Sequence, residues 1–361
     1  MKTLLFTSEF PPMIGGVANY YSNLVKYWPV TENIIVLDNS RKELIRVNGW
    51  WRWWPAFGTL ARKLKRSRVD YILVGQILPL GSVAYFYSLW KPIKYGVFLH
   101  GMDFAFSQKS WRKKIISRLI LKRANQIICA NSNVAERLRE IYPASPEKTV
   151  VVNPGVVDAP LTIRQEDLAN LDKKYNLSPD KLILFSLGRL VRRKGFDYTI
   201  LAIDSLPLEL RSRICYFIGG AGPDADYLKK IVPPRISHQV FFLGKLIEEE
   251  KWAWLQKCDI FIMPARDIDG DFEGFGIVYL EANICEKAVI AGWAGGVGDA
   301  VIHNHTGLLV DSDSRSSIKE AIIKLSHHPR LRDKFGHDGR ERALQDFNWE
   351  KQTAKVAKFI K

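Results

Sequence analysis

Short apolar runs recur along this chain, each followed by a polar loop and a stretch with helical spacing. A first series comprises Thr3–Thr7, Asn33–Leu37, Tyr71–Val74, Tyr95–Leu99, Gln126–Ala130 and Thr149–Val152. A second comprises Leu182–Ser186, Ile214–Ile218, Val240–Leu243, Ile260–Met263, Ala288–Ala291 and Gly307–Val310. Apolar runs of this length, bounded by turn residues, read as buried strands. Strands that alternate with helices predict parallel sheets wound on both faces, and two series predict two α/β domains. The polar stretch 157–180 breaks the rhythm. It is expected as a linker between a domain over 1–156 and a domain over 181–345. Residues 346–361 are expected as a helix packing back on the first domain.

One window imitates a membrane span. Tyr71 to Trp90 carries no charge over twenty residues, about the length a bilayer requires. Gly75, Pro79 and Gly81 divide it into a strand, Tyr71–Val74, and a helix over Ser82–Trp90. Met1–Phe6 is too short an apolar run for a secretory signal and soon reaches Glu9. Cys129, Cys215, Cys258 and Cys285 lack Cys-x-x-Cys spacing and read as buried thiols of a reducing compartment.

The chain has 361 residues, enough for two cores, with 47% hydrophobic and 25% charged content. Its net charge of +15 is uneven. Residues 1–150 hold 23 Lys and Arg against 9 Asp and Glu, and the remainder holds 30 against 29. An excess confined to one half points to a partner of that half.

Doubly wound sheets bind ligands at the carboxyl ends of their strands, so the chemistry should lie in strand-to-helix loops. Gly15-Gly16 follows the first strand, and His100-Gly101 follows the fourth. Gly188-Arg189, Gly219-Gly220, Gly244-Lys245, Glu273 and Gly295-Gly296 follow strands of the second series. Two facing sheets would bring these loops to one cleft. Glu273 and Glu281 stand eight positions apart around Gly274-Phe275-Gly276. A helix opening near Ile277 would place Glu273 on the loop before it and Glu281 one turn inside, beside free amides. The bland alternative is a helix start decorated with acids. Arg189 and Lys194 suit a diphosphate, the first as a fork and the second as a point charge. Arg192 and Arg193 read as a solvated basic turn. Ile218–Gly222 lacks Gly-x-Gly-x-x-Gly, which leaves a nicotinamide cofactor unsupported. In Asp267–Asp271 the Gly is fourth and Val278 is twelfth, against the sixth and twelfth positions of an EF-hand loop. That run is expected as a flexible polar loop, and no metal site is expected. Acids for hydroxyls, cations for a diphosphate and glycine loops together fit a sugar nucleotide.

With these residues the chain resembles family 4 glycosyltransferases of the GT-B fold, retaining enzymes with two facing Rossmann-like domains. The likeness is carried by Glu9-Phe10-Pro11-Pro12-x-x-Gly15-Gly16, His100-Gly101, Asn153-Pro154-Gly155-Val156, Gly188-Arg189-x4-Lys194-Gly195, Phe242-Leu243-Gly244 and Glu273-x7-Glu281. Met263-Pro264-Ala265-Arg266 and the run from Glu273 to Ala282 look closest to GDP-mannose-dependent mannosyltransferases of phosphatidylinositol mannosides. The resemblance implies a catalytic set of Glu273, Arg189, Lys194 and His100. Gly15, Gly16, Gly219, Gly244, Lys245, Phe275, Gly276, Ile277 and Glu281 would bind the donor. Glu273 would hold sugar hydroxyls, His100 would lie beside the sugar, Glu281 would take the ribose, Gly244-Lys245 the base, and Gly16 the phosphate. The family needs no metal or other cofactor, and the donor phosphate takes the acceptor proton. This sequence departs from the pattern at Cys285-Glu286-Lys287-Ala288, at Gly298-Asp299, and at Trp293, where a small residue is usual. A UDP-sugar hexosyltransferase of polysaccharide or lipopolysaccharide synthesis is the alternative reading, and a retaining phosphorylase on the same fold is a third.

In such enzymes the first domain holds the acceptor, and here it holds the positive charge. Trp50, Trp51, Trp53 and Trp54 precede a basic run with Arg62, Lys63, Lys65 and Arg66. A second basic segment runs from Lys109 to Arg123 and includes Lys113 and Lys114, with Trp111, Ile115, Ile116, Leu119 and Ile120 on its other face. Aromatics beside Lys and Arg suit an anionic membrane interface. The expected partners are a sugar nucleotide, a lipid-linked or glycan acceptor and the inner face of the cytoplasmic membrane. A solvated basic helix over a buried apolar stripe is the alternative for the second segment. Nucleic-acid binding competes for the charge, but no nucleic-acid motif is present.

Overall fold

The computed structural model describes residues 1–13, 15–45, 53–143, 146–158 and 165–361. The chain divides into two compact units, Met1–Gly155 with Phe347–Lys361, and Val156–Asp346.

The first unit holds β1 (Lys2–Phe6), α1 (Gly16–Lys26), β2 (Asn33–Leu37), α2 (Trp54–Ser67), β3 (Tyr71–Val74), α3 (Leu80–Trp90) and β4 (Lys94–Leu99). It continues with α4 (Met102–Ser107), α5 (Trp111–Arg123), β5 (Gln126–Cys129), α6 (Ser132–Ile141) and β6 (Thr149–Val151). The parallel sheet has the order β2-β1-β3-β4-β5-β6. Period-two alternation splits its strands between two cores. Leu4, Phe6, Ile72, Val74, Val97 and Leu99 pack on one face beneath α2, α3 and α5. Leu5, Leu73, Phe98 and Ile128 pack on the other with Tyr20, Tyr21 and Trp349. The uncharged window Tyr71 to Trp90 is β3, a loop and α3, and no helix among the described residues is long and apolar enough to cross a membrane.

The second unit holds α7 (Gln165–Tyr175), β7 (Leu182–Leu187), α8 (Phe196–Asp204), α9 (Leu208–Arg211), β8 (Ile214–Gly219), α10 (Ala225–Lys230), β9 (Val240–Gly244) and α11 (Glu248–Lys257). Then follow β10 (Ile260–Met263), α12 (Ile277–Ile284), β11 (Ala288–Gly292), α13 (Val297–Ala300), β12 (Gly307–Val310), α14 (Arg315–His327) and α15 (Pro329–Asp346). Its parallel sheet runs β12-β11-β10-β7-β8-β9. The stretch 157–180 is more than a tether, because it contains α7. Tyr175 of α7 sets its ring edge-on to Phe217 at 5.1 Å and to Trp254 at 5.5 Å, inside an aromatic cluster on one face of the sheet. Polar composition hid this helix, in which only Leu168, Ala169, Leu171 and Tyr175 are apolar. The last helix, α16 (Trp349–Phe359), belongs to the first unit.

Candidate active site

In the second unit, the loops at the carboxyl ends of β7, β8 and β10 interlock. The Gly188 amide bonds to Gly219 O at 3.1 Å, and the Leu190 amide to Ala221 O at 3.1 Å. Gly220 sits at φ +128, where a Cβ would lie 1.9 Å from Gly188 O, so only glycine fits there. A short 3₁₀ turn, Arg192–Lys194, follows β7 and presents three cations in a row. Two converge on Glu273 and one does not. Arg192 is exposed and lies 3.5 Å over the Tyr227 ring. Lys194 is buried with its ammonium 2.5 Å from Glu273 Oε2. Arg193 reaches the same oxygen at 2.8 Å and Asp271 Oδ1 at 3.0 Å.

Arg193 therefore corrects the reading of a solvated turn. A run of adjacent cations does not say which one turns inward; the turn geometry does. Asp267–Asp271 also differs from the flexible loop expected. The Gly270 amide donates to Asp267 Oδ1 at 2.9 Å, Ile268 and Asp271 pair as an isolated bridge, and Asp271 holds Arg193. Beneath the turn lies Arg266, 6% exposed. Its Nη2 donates to both Asp197 oxygens at 2.9 Å and to Arg192 O at 2.6 Å, while its amide donates to Arg193 O at 2.7 Å. Its guanidinium also covers the Tyr198 ring at 4.1 Å. This brace was visible in the sequence only as part of a motif.

Glu273 is almost fully buried. Burial works against its charge, but Lys194 and Arg193 outweigh it and hold the carboxyl below the ordinary range. Both cations engage Oε2, and Oε1 has no protein partner among the described residues. Just beyond, α12 opens at Gly276, whose φ of +78 brings a would-be Cβ 2.3 Å from the Tyr279 ring. Phe275 is buried, Ile277 is 38% exposed, and the start of α12 has no side-chain cap. One turn in, Glu281 Oε1 accepts from Lys251 at 2.8 Å, and Lys251 also meets Glu248 at 2.8 Å. Lys251 is held above its usual pKa despite burial, because the two glutamates outweigh the desolvation. Lys251 was not foreseen, since it lies thirty positions upstream with no motif to mark it.

The remaining candidates of this unit stay uncommitted. Arg189 is exposed, follows β7 and has no partner among the described residues. Gly219 is buried, and Gly244 at φ +72 has open space where a Cβ would stand. Lys245 is exposed and has no partner among the described residues. Trp293 is 71% exposed on the loop that also carries Gly296, whose amide bonds to Glu273 O at 3.0 Å. Among the described residues no group of His, Cys, Asp and Glu is arranged to hold a metal ion.

In the first unit, Gly15 and Gly16 form the bare start of α1. A Cβ at either meets nothing within 4 Å, so packing within this unit does not demand glycine there. His100 follows β4, and its Nε2 lies 2.7 Å from the Tyr21 hydroxyl. Burial pulls its pKa down to about 4. Asp103 Oδ1 accepts from the His100 and Gly101 amides at 2.9 and 3.1 Å, and burial raises this carboxyl to about 6.

The surface candidates lie on α2, α3 and α5. Trp50 and Trp51 fall outside the described residues. Trp53 stacks on Phe86, and Trp54, 60% exposed, stacks on Phe57. Arg62, Lys65 and Arg66 are exposed, and Lys63 is half-buried. On α5, Ser117, Ile120 and Leu121 face the core. Trp111, Ile115 and Leu119, four residues apart, remain exposed on the outer side. Lys114 is exposed, and the Lys113 ammonium sits 3.3 Å over the half-exposed Phe106 ring. The basic helix thus has a buried stripe and an exposed apolar one.

Comparison with known proteins fits this geometry. The family model for glycosyl transferases group 1 matches residues 168–342, and that for glycosyltransferase family 4 matches residues 14–159. The chain belongs to these glycosyltransferases. It is 28% identical to a GDP-mannose-dependent monoacylated alpha-(1-6)-phosphatidylinositol monomannoside mannosyltransferase of Corynebacterium glutamicum, over 97% of this chain and 95% of that one. It is 26% identical to a GDP-mannose-dependent alpha-(1-6)-phosphatidylinositol monomannoside mannosyltransferase of Mycobacterium tuberculosis, over 100% and 98% of the two chains. Among solved structures, a glycosyltransferase from Rickettsia africae is similar with a TM-score of 0.80 at 18% identity, covering 99% and 97% of the chains. Anabaena HepE in complex with UDP and glucose gives 0.77 at 17%, covering 99% and 98%. The fold of this glycosyltransferase is GT-B, with two Rossmann-like domains.

Proposed function

We propose that this glycosyltransferase moves a hexose, mannose from GDP-mannose, to a lipid-linked acceptor with retention of configuration and without a metal. The observation that carries the reading is Glu273, held ionised by Lys194 and Arg193 through one oxygen while the other is left for a ligand. A carboxylate fixed in this way accepts hydrogen bonds from sugar hydroxyls. Arg189 is the cation left to take the diphosphate, and Lys194 and Arg193 add positive potential beside it. As the sugar leaves, the bond from C1 to the diphosphate oxygen breaks and a bond from C1 to the acceptor oxygen forms on the same face. The acceptor's proton passes to the diphosphate, whose growing charge the cations stabilise. Glu281, fixed by Lys251, takes the ribose hydroxyls, and Lys245 lies toward the base. The mannosyltransferase relatives favour GDP-mannose. Trp293 and the UDP bound to HepE keep a UDP-sugar as the second reading.

Unit one supplies the lipid side. Exposed Trp54, Trp90, Trp111, Ile115 and Leu119 together with Lys and Arg on α2 and α5 suit peripheral binding to anionic lipid.

Thermal-shift measurements against GDP-, UDP- and ADP-sugars, then turnover on polyprenyl-linked and phosphatidylinositol acceptors, test the reaction. GDP-mannose is expected to give the largest shift, with turnover unchanged by EDTA. Arg189→Ala is expected to lower transfer roughly a hundredfold with no loss of melting temperature, since the side chain is exposed and unpaired. Glu273→Gln keeps the shape of the site and an oxygen to accept from Lys194, so it is expected to cost less stability than Ala, which leaves that buried ammonium with no acceptor. Full activity in either variant refutes its role.

A further inference from the structure

His100 can present either ring nitrogen to a ligand, and the two differ in chemistry: one donates a hydrogen bond and the other accepts. The surrounding atoms decide between them. The Tyr21 hydroxyl lies 2.5 Å from Gly75 O and 2.7 Å from His100 Nε2. A carbonyl oxygen has no proton, so an oxygen pair this close requires the hydroxyl proton between them. The hydroxyl has only one proton to give. Toward His100 it is therefore an acceptor, and Nε2 must carry the proton that fills the 2.7 Å contact.

The ring is boxed by aromatics. Tyr20 and Tyr21 meet it edge-on at 5.1 and 5.2 Å, and Phe98 lies parallel at 6.0 Å. Burial there disfavours the imidazolium and pulls the pKa to about 4, leaving a neutral ring near pH 7. A neutral ring with its proton on Nε2 has a bare lone pair on Nδ1. No protein group among the described residues donates to Nδ1. Gly75 is fixed in turn: a Cβ there would lie 2.6 Å from Thr7 Oγ1, and its amide bonds to Phe6 O at 2.8 Å.

We propose that Tyr21 is a positioning residue that locks His100 with its proton on Nε2, so that Nδ1 accepts a hydrogen bond from a hydroxyl of the bound sugar. The second half rests on the reading of His100 as a residue that meets the transferred sugar. The order of donors runs from ligand hydroxyl to Nδ1, and from Nε2–H through Tyr21 to Gly75 O. Cooperative polarisation along such a chain strengthens each bond in it.

Ring-nitrogen NMR of the full chain with ¹⁵N-labelled histidine tests the lock without any substrate. In the unsubstituted protein His100 is expected to show a protonated Nε2 and an unprotonated Nδ1 near neutral pH. A protonated Nδ1 overturns the proposal. Tyr21→Phe is expected to lose the single tautomer and to lower kcat/KM about tenfold. In a His100→Ala background the same Tyr21→Phe change is expected to have no further effect, because it acts only through the ring. An additive loss overturns the positioning role. Donors with one hydroxyl replaced by fluorine complete the test, since fluorine cannot donate. One such donor is expected to lose about tenfold in kcat/KM with His100 present and nothing with His100→Ala. If no sugar nucleotide binds at all, the functional reading fails while the NMR result still decides the tautomer.

Discussion

Burial sets opposite penalties on two neighbouring groups of unit one. His100 falls to about 4 and Asp103 rises to about 6. For His100 the unfolded chain binds the proton more readily between its ordinary 6.5 and about 4, so stability is lost as pH falls through that window. For Asp103 the native carboxyl holds its proton where the unfolded one has lost it, so stability is lost as pH rises from about 4 to about 6. The two slopes oppose each other and nearly cancel. Replacing His100 by Gln removes only the first. The melting temperature of His100→Gln relative to the unsubstituted protein is therefore expected to climb as pH is lowered from 6.5 toward 4, with about 2–3 kcal/mol at stake. A pH-independent difference in calorimetric scans would show that His100 is not desolvated. Glu273, His100 and Arg189 could be singled out as candidates from the sequence because each follows a strand, where doubly wound sheets bind ligands. Lys251 and Tyr21 could not. Both sit inside helices, where a site residue resembles any other helical position, and only the fold brings Lys251 to Glu281 and Tyr21 to His100.

Strands were more legible than helices. All twelve apolar runs became strands, because a segment buried on both faces must be apolar at nearly every position. Helix α7 was missed because its one ring, the half-buried Tyr175, follows residues of mostly polar character. Helix α16 is held by a similarly local device. Trp349 is 2% exposed, its ring meets Tyr20 edge-on at 5.4 Å, and Thr353 Oγ1 donates to Tyr27 O at 2.6 Å. The indole also lies against Gly155, where a Cβ would stand 2.6 Å from two ring atoms. An indole wedged in a core cannot swing aside like the end of a lysine. Gly155→Ala is thus expected to loosen α16 and to cost about 1–3 kcal/mol by overpacking. Calorimetry should show a lower first-unit melting temperature, and hydrogen exchange should show faster exchange confined to α16. An unshifted melt would mean that the ring has room to retreat.

Charge is a property of the whole molecule, and here it is partitioned. Nearly all of the +15 arises in residues 1–150, whereas the half that carries Glu273 and Arg189 is close to neutral. A sugar nucleotide is held by a few fixed cations and does not require a broad basic surface. The excess is the ground on which we propose a second, extended and anionic partner. Lipid and nucleic acid both fit the charge, but they differ in what they do with Trp111, Ile115 and Leu119, which stand exposed in one line on α5. A bilayer interface buries such a stripe, while a nucleic acid would use aromatics for stacking and would leave Ile115 and Leu119 in water. Each Lys or Arg near an anionic surface is worth about 1 kcal/mol, and screening acts within about 8 Å at physiological ionic strength. Neutralising Lys65, Arg66, Lys113 and Lys114 with Gln is then expected to weaken flotation with anionic vesicles by up to about a thousandfold at low salt, and to flatten its salt dependence. Replacing Trp111, Ile115 and Leu119 with Ser is expected to weaken binding while leaving the salt dependence in place, because the cations still draw the protein to the surface. Binding that responds to the charge set but ignores the apolar set, and that an oligonucleotide competes away, would assign the basic half to nucleic acid instead.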